Sequence, residues 1–187
     1  LTLCSLPSCV MVQLADIDAD PNFNWDSLKR DWIVMTPLVD LRSQDAQRDL
    51  PFFPIPEQRA YAERFKQEFY RLRKDIRVFG AGGAFDHLAS LDDLPRLAQS
   101  VFEKKPLLDA DRARVIAGTQ DLRFVFFFAV TQESVVRDVK YTFRTEQELD
   151  TIDYITMRSM SLRMALWDSK ENKTVWIGTQ HLRPINA

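Results

Sequence analysis

A chain of 187 residues suits one domain that buries about two thirds of its unfolded surface. Its 45% hydrophobic content is that of an ordinary globular protein, and no apolar run is long enough to cross a membrane as a helix. The net charge of −2 excludes a generic phosphate-backbone binder, which needs a basic face, so nucleic acid is not an expected partner.

Leu1–Val12 is mostly apolar and small, which fits either the tail of a secretory signal peptide or an ordinary first strand. Both cysteines, Cys4 and Cys9, lie here. A disulfide between them would close a very small loop. Two cysteines without nearby histidines make a poor zinc site, so neither metal nor cofactor is expected. In Leu6-Pro7-Ser8-Cys9 an aliphatic residue stands three before a cysteine. This resembles the lipobox of bacterial lipoproteins, with Pro7 a departure from the small residue usual there. The resemblance makes residues 1–9 a signal remnant and Cys9 the lipidated residue. Asp16, Asp18 and Asp20 then alternate as in a calcium loop, but the required sixth-position glycine and twelfth-position glutamate are Pro21 and Ser27. Residues 10–31 read as a polar linker, and 32–187 as a single domain.

Trp32–Asp40 is nearly continuous in apolar residues, as a strand covered on both faces should be. Pro37 removes one ladder donor and predicts a bulge or strand end beside it. Pro51, Pro54 and Pro56 make Leu41–Pro56 irregular, with Phe52 and Phe53 tacking it onto the body or onto a partner. Glu57–Ile76 is the clearest helix, striped by Tyr61, Phe65, Phe69, Leu72 and Ile76. Its cations, continuing to Arg77 and interleaved with Glu63, Glu68 and Asp75, read as a solvated face.

Arg77–Phe79 is a short strand followed by Gly80-Ala81-Gly82-Gly83. Such a turn could cradle phosphate, but Phe85 stands where the dinucleotide fingerprint wants glycine, and no Lys-Ser/Thr pair makes it a P-loop. Gly80, Gly82, Gly83 and His87 remain the alternative ligand turn. His87 with Asp86 and Ser90 could be drawn as a hydrolytic set, but adjacent residues point apart and no nucleophile elbow is present. Ser90–Phe102 and Asp109–Ala117 are two more helices, the first capped by Asp92 or Asp93, the second capped by Asp109 and left through Gly118. Leu122–Val130 is the most apolar strand and therefore central. Ser134–Thr145 is antiparallel. The last third is a hairpin: Met160, Leu162, Met164 and Leu166 alternate with Ser159, Ser161, Arg163 and Ala165, then Ser169–Lys173 turns the chain into Thr174–Gln180. His181 is a surface group beyond it. No residues pair as acid and base, and no metal-ligand spacing occurs.

The fold class is α/β: a single domain with a mixed sheet, helices packed on it and a C-terminal antiparallel hairpin. Asp111–Val130, a helix followed by small residues and an apolar strand, resembles the CsgG/PelC/LpoB-like group of bacterial envelope lipoproteins, to which the amino-terminal domain of TolB is similar. The strand Met35–Asp40 with its proline, and Leu166-Trp167-Asp168 answered by Val175-Trp176, match that group too. The resemblance spans about residues 32–180; Phe126–Phe128 stand where the group has a glycine in the long strand. It implies no enzyme but a scaffold or assembly and export accessory. Its partners would be envelope proteins or further copies of itself. It would lie in the periplasm, anchored to the outer membrane through a lipid. The alternative is a small soluble enzyme or ligand-binding domain using the Gly80–His87 turn.

Overall fold

The computed structural model describes residues 10–79, 83–118, 122–142 and 151–184, with 10–15, 135–142, 151–158 and 182–184 as backbone alone. The strands are β1 (Val10–Ala19), β2 (Trp32–Asp40), β3 (Arg77–Phe79), β4 (Phe124–Thr142), β5 (Thr151–Asp168) and β6 (Lys173–Pro184). They form one mixed sheet in the order β1-β6-β5-β4-β2-β3. Strand β2 runs parallel to β3 and β4, and the other pairs are antiparallel. The helices are α1 (Gln44–Asp49), α2 (Ile55–Leu72), α3 (Gly83–Ala89), α4 (Leu94–Phe102) and α5 (Asp109–Ala117).

Strand alternation divides the core into two layers. Val125, Phe127 and Ala129 of β4, with Ala165 and Trp167 of β5, pack under Leu88, Leu97, Val101 and Val115 of α3, α4 and α5. Phe124, Phe126, Phe128 and Val130 face the other way, with Met160, Met164 and Leu166, toward Phe65 and Phe69 of α2. The expected hairpin is therefore present, and its two sequence faces are the two faces of the sheet.

Bulges keep these layers in register. Between β2 and β4, Met35 pairs with Phe126 and Leu38 with Phe128, so β2 carries one extra residue at Thr36-Pro37. Met35 and Leu38, three apart, thus face the same layer. Pro37 causes this break, as expected. The buried Thr36 hydroxyl donates to the Pro37 carbonyl at 3.0 Å and receives the Phe128 N–H at 3.4 Å.

Residues 10–31 are not simply a linker. Val10–Ala19 is an edge strand hydrogen-bonded along β6, and Trp25–Lys29 is a 3-10 turn whose Leu28 is fully buried. The carboxylates concealed this, because Asp16 and Asp18 sit at a bulge on an exposed edge, where polar residues are compatible with a strand. The segment Leu41–Pro56 contains α1, capped by the Ser43 hydroxyl. The two strands expected, Leu122–Val130 and Ser134–Thr145, are replaced by one, Phe124–Thr142, with an extra residue at Thr131. Gly118 has φ −78°, so left-handed backbone is not why glycine stands there; a Cβ would lie 1.8 Å from His87 Cδ2.

One feature reaches beyond the layered body. Strand β2 leaves β4 at Asp40–Val130, and β6 leaves β5 at Met160–Leu182. From Ser134–Ser159 to Thr142–Thr151, β4 and β5 pair only with each other among the described residues. At about 3.3 Å per residue this two-stranded ribbon projects roughly 27 Å. Val10 pairs with Pro184, so the described chain starts at the ribbon end.

Candidate functional site

Among the described residues, the sheet at the root of the ribbon stands open beside the C-terminal end of α4. Two adjoining depressions there have volumes of ≈ 700 and ≈ 590 Å³ and share Thr131, Gln132, Ser161 and His181. The polar half of the β5 alternation forms the floor: Ser159, Ser161 and Arg163. The apolar half lies beneath, in the α2 layer. Ser161 pairs across the strands with His181, and its hydroxyl lies 2.8 Å from His181 Nδ1. The Ser134 and Ser159 hydroxyls are 2.6 Å apart. Arg163 lies over the Phe102 ring, 5.2 Å from its centroid, and donates to the Phe102 carbonyl at 3.2 Å, satisfying the last turn of α4.

This bay offers hydroxyls and one guanidinium to a polar ligand. It does not assemble a hydrolytic triad among the described residues. The bond to serine uses Nδ1, the nitrogen that a carboxylate would orient in a triad, and Ser161 is buried. The Ser–His contact is a cross-strand tie. Sequence reading placed His181 beyond the last strand, whereas it lies within β6 and is half-buried. The signal for the bay was the Ser159-Ser161-Arg163 alternation; the neighbours across the sheet were not visible in it.

Charge is concentrated under the bay instead. Arg42, with its side chain fully buried, donates to Asp40 through Nη2 at 2.8 Å and Nε at 2.8 Å, and to Glu133 through Nη1. It also donates to the Leu50 carbonyl at 3.0 Å and lies over Phe52. The bulge at Thr131 sets Glu133 opposite Met160, on the α2 side, where Arg42 waits. At the far end Arg123 holds Asp168 at 2.8 Å and Asp31 at 3.2 Å, while Asp168 accepts the Lys170 N–H that starts the hairpin turn. Between α4 and α5, Arg96 grips the buried Asp111 at 2.6 and 2.9 Å.

Burial raises the Asp40 carboxyl, but hydrogen bonds from Arg42 outweigh it and hold the group below the ordinary 3.8. The Arg96 hydrogen bond lowers Asp111 in the same sense. A depressed folded value means that the unfolded chain binds the proton first. The stability these groups lend is complete above pH 4, roughly, and drains as pH falls through their lower folded values. Urea midpoints measured from pH 6 down to pH 2.5 should therefore fall below pH 4. Asp111→Asn should flatten part of that fall, and an unchanged acid limb would refute the assignment.

The other expected site residues are separated. Phe53 is buried against Tyr61, with ring centroids 5.2 Å apart, and Phe52 is half-buried beside Arg42. Phe53 is thus not an exposed partner contact; the pair tacks the proline-rich segment to the α2 layer. Gly83 opens the seven-residue α3, and His87 lies within that helix with its ring against Gly118. Asp86 is held by Arg59, and the Ser90 hydroxyl donates to the His87 carbonyl. The hydrolytic set is therefore not assembled. Gly80, Gly82 and Cys9 lie outside the described residues. Among the described residues no group of three His, Cys, Asp or Glu could hold a metal, and no helix is long and apolar enough to cross a membrane.

No family model and no curated protein matches the chain. Solved structures do. A PelC dodecamer from Paraburkholderia phytofirmans is 12% identical with TM-score 0.41, over 94% of this chain and 82% of that one. Lipoprotein GNA1162 from Neisseria meningitidis is 13% identical with TM-score 0.39, over 84% and 85%. The hypothetical protein CT253 from Chlamydia trachomatis is 14% identical with TM-score 0.40, over 81% and 68%.

Proposed function

We propose that this protein is a non-enzymatic lipoprotein of a bacterial envelope that works by protein contact, as a scaffold or export accessory. Cys9 would carry the lipid in the periplasmic leaflet of the outer membrane, and the β4–β5 ribbon would carry the contact. The ribbon is the observation that bears most on this reading. An isolated two-stranded hairpin is marginal in water, and its two free edges are templates for another strand. A chain that maintains one beyond its core has a use for it. Cys9 immediately precedes Val10 at the ribbon end, so an acyl anchor there would hold the ribbon beside the membrane.

The test removes the ribbon and keeps the sheet. Ser134 and Ser159 are directly paired, so Val135–Arg158 can be replaced by Asn-Gly, a two-residue hairpin turn. The core residues named above lie outside this excision. Sedimentation of the chain extracted from its own membranes should give an assembly of several copies or a complex with envelope proteins. The excised variant should sediment as a monomer that keeps its helical circular dichroism signal and still unfolds cooperatively. A monomer both with and without the ribbon, with no other protein bound, would defeat the reading. Cys9→Ser should move the chain from the membrane fraction to the soluble one.

A further inference from the structure

At the end opposite the ribbon, exposed rings and exposed cations share one corner. Trp32 begins β2 and pairs with Arg77 of β3. The Arg77 guanidinium lies over the Trp32 ring at 5.8 Å, and Phe79 meets the same ring edge-on at 5.9 Å. Trp32 is 40% exposed, Phe79 46% and Leu72, at the end of α2, 65%. The ion pair Lys29–Asp75 ties the 3-10 turn to the turn before β3, which brings Arg30 and Lys74 to the same rim. Arg30, Lys74 and Arg77 are exposed and form no ion pair among the described residues, unlike Lys29 with Asp26 and Arg73 with Asp75.

Strand addition is closed at this corner. The outward N–H and carbonyl of Val78 are both bonded to the Tyr70 hydroxyl at 3.2 Å, which blunts the β3 edge. Recognition here must use side chains, and exposed Trp and Arg are the residues that dominate protein contacts. The half-buried, mutually packed rings are poorly placed to insert into a bilayer, which favours a protein.

The chain itself supplies a complement. The eight residues between β4 and β5, Phe143-Arg144-Thr145-Glu146-Gln147-Glu148-Leu149-Asp150, carry three carboxylates and two large apolar groups. They connect Thr142 to Thr151 at the ribbon end, whereas Phe124, eighteen residues earlier on β4, pairs with Ile33 beside Trp32. That separation is roughly 60 Å along the strands, so a chain cannot satisfy its own corner. We infer that the Trp32–Arg77–Phe79 corner receives the acidic 143–150 segment of a second copy. The contact is heterologous, head to tail, and builds a ring or a filament according to whether the rotation closes. This rests on the reading of the ribbon as the assembly element.

The probe is a dye-labelled peptide of residues 143–150, titrated with the 187-residue chain and followed by anisotropy. Binding should weaken at least tenfold between 50 and 300 mM salt. Arg77→Glu and Lys74→Glu should each weaken it at least tenfold, and Arg64→Glu, on the exposed side of α2, should not. Lys74 lies in an exposed turn, so its variant keeps the test open if changes within β3 disturb folding. A peptide with Lys at its three acidic positions should not bind. Failure of the peptide to bind, or binding indifferent to Arg77→Glu and Lys74→Glu, overturns the inference. So does loss of binding to vesicles of 30% phosphatidylglycerol in the same variants without any peptide binding, which would make the corner a membrane contact. If excising the ribbon gives a monomer while the corner variants stay assembled, the inference falls and the reading of the ribbon stands. If the intact chain carries only one copy of itself, the inference falls, and if it also binds no other protein, the reading of the ribbon falls with it.

Discussion

Arg42→Met is expected to destabilise the fold by about 3–5 kcal/mol, the cost of leaving buried charge without its partner. Asp40 and Glu133 come from β2 and β4, and Arg42 joins them with three of its nitrogens. Methionine fills much of the same space beside Phe52, so packing loss is the smaller part. The double variant Arg42→Met with Glu133→Met should recover a large share, because an apolar pair avoids the desolvation that the charges endure. Arg42→Lys should fall between, since ammonium keeps the charge but not the fork. Urea unfolding of the four chains checks this. A loss under about 1 kcal/mol in Arg42→Met would mean that water reaches the cluster.

Phe127→Ala is expected to cost about 3–5 kcal/mol, and Phe79→Ala under about 0.5. Both are strand phenylalanines, but Phe127 is fully buried beneath α4 and Phe79 is nearly half exposed on an edge. Thermal or urea unfolding separates them. The contrast bears on function as well as stability, because a small loss at Phe79 leaves its exposed ring without a structural purpose and available for contact. A Phe79 variant as damaged as the Phe127 one would show instead that the corner is part of the core.

Much of this was legible in the residues. The period-2 alternation of 159–166 set one apolar and one polar face, and burying the apolar one is enough to fix which residues enter the core. The stripe at 61–76 placed a helix, but α2 ends at Leu72, so Ile76 is buried beyond it while Tyr61 and Leu72 stay exposed; the unbroken apolar run of 124–130 placed the central strand. Pro37 announced its bulge, because a missing N–H is local chemistry.

What local patterns could not decide was anything set by partners far along the chain. Val10–Ala19 is a strand because β6 offers it a hydrogen-bonding edge, and no carboxylate count reveals that. Thr131 is an extra residue only in relation to Ser161 and Leu162, yet that single insertion turns Glu133 toward Arg42, 91 positions away in sequence. Phe52 and Phe53 carried an open choice between body and partner, and the α2 layer took Phe53. The ribbon follows from where two neighbouring strands end, not from its own residues. The sequence by itself determined which faces are apolar and which groups carry charge, since burial energy and hydrogen-bonding capacity belong to each residue. Only the tertiary structure decided which charges are neutralised and which edges stay open, because both depend on what the fold brings alongside.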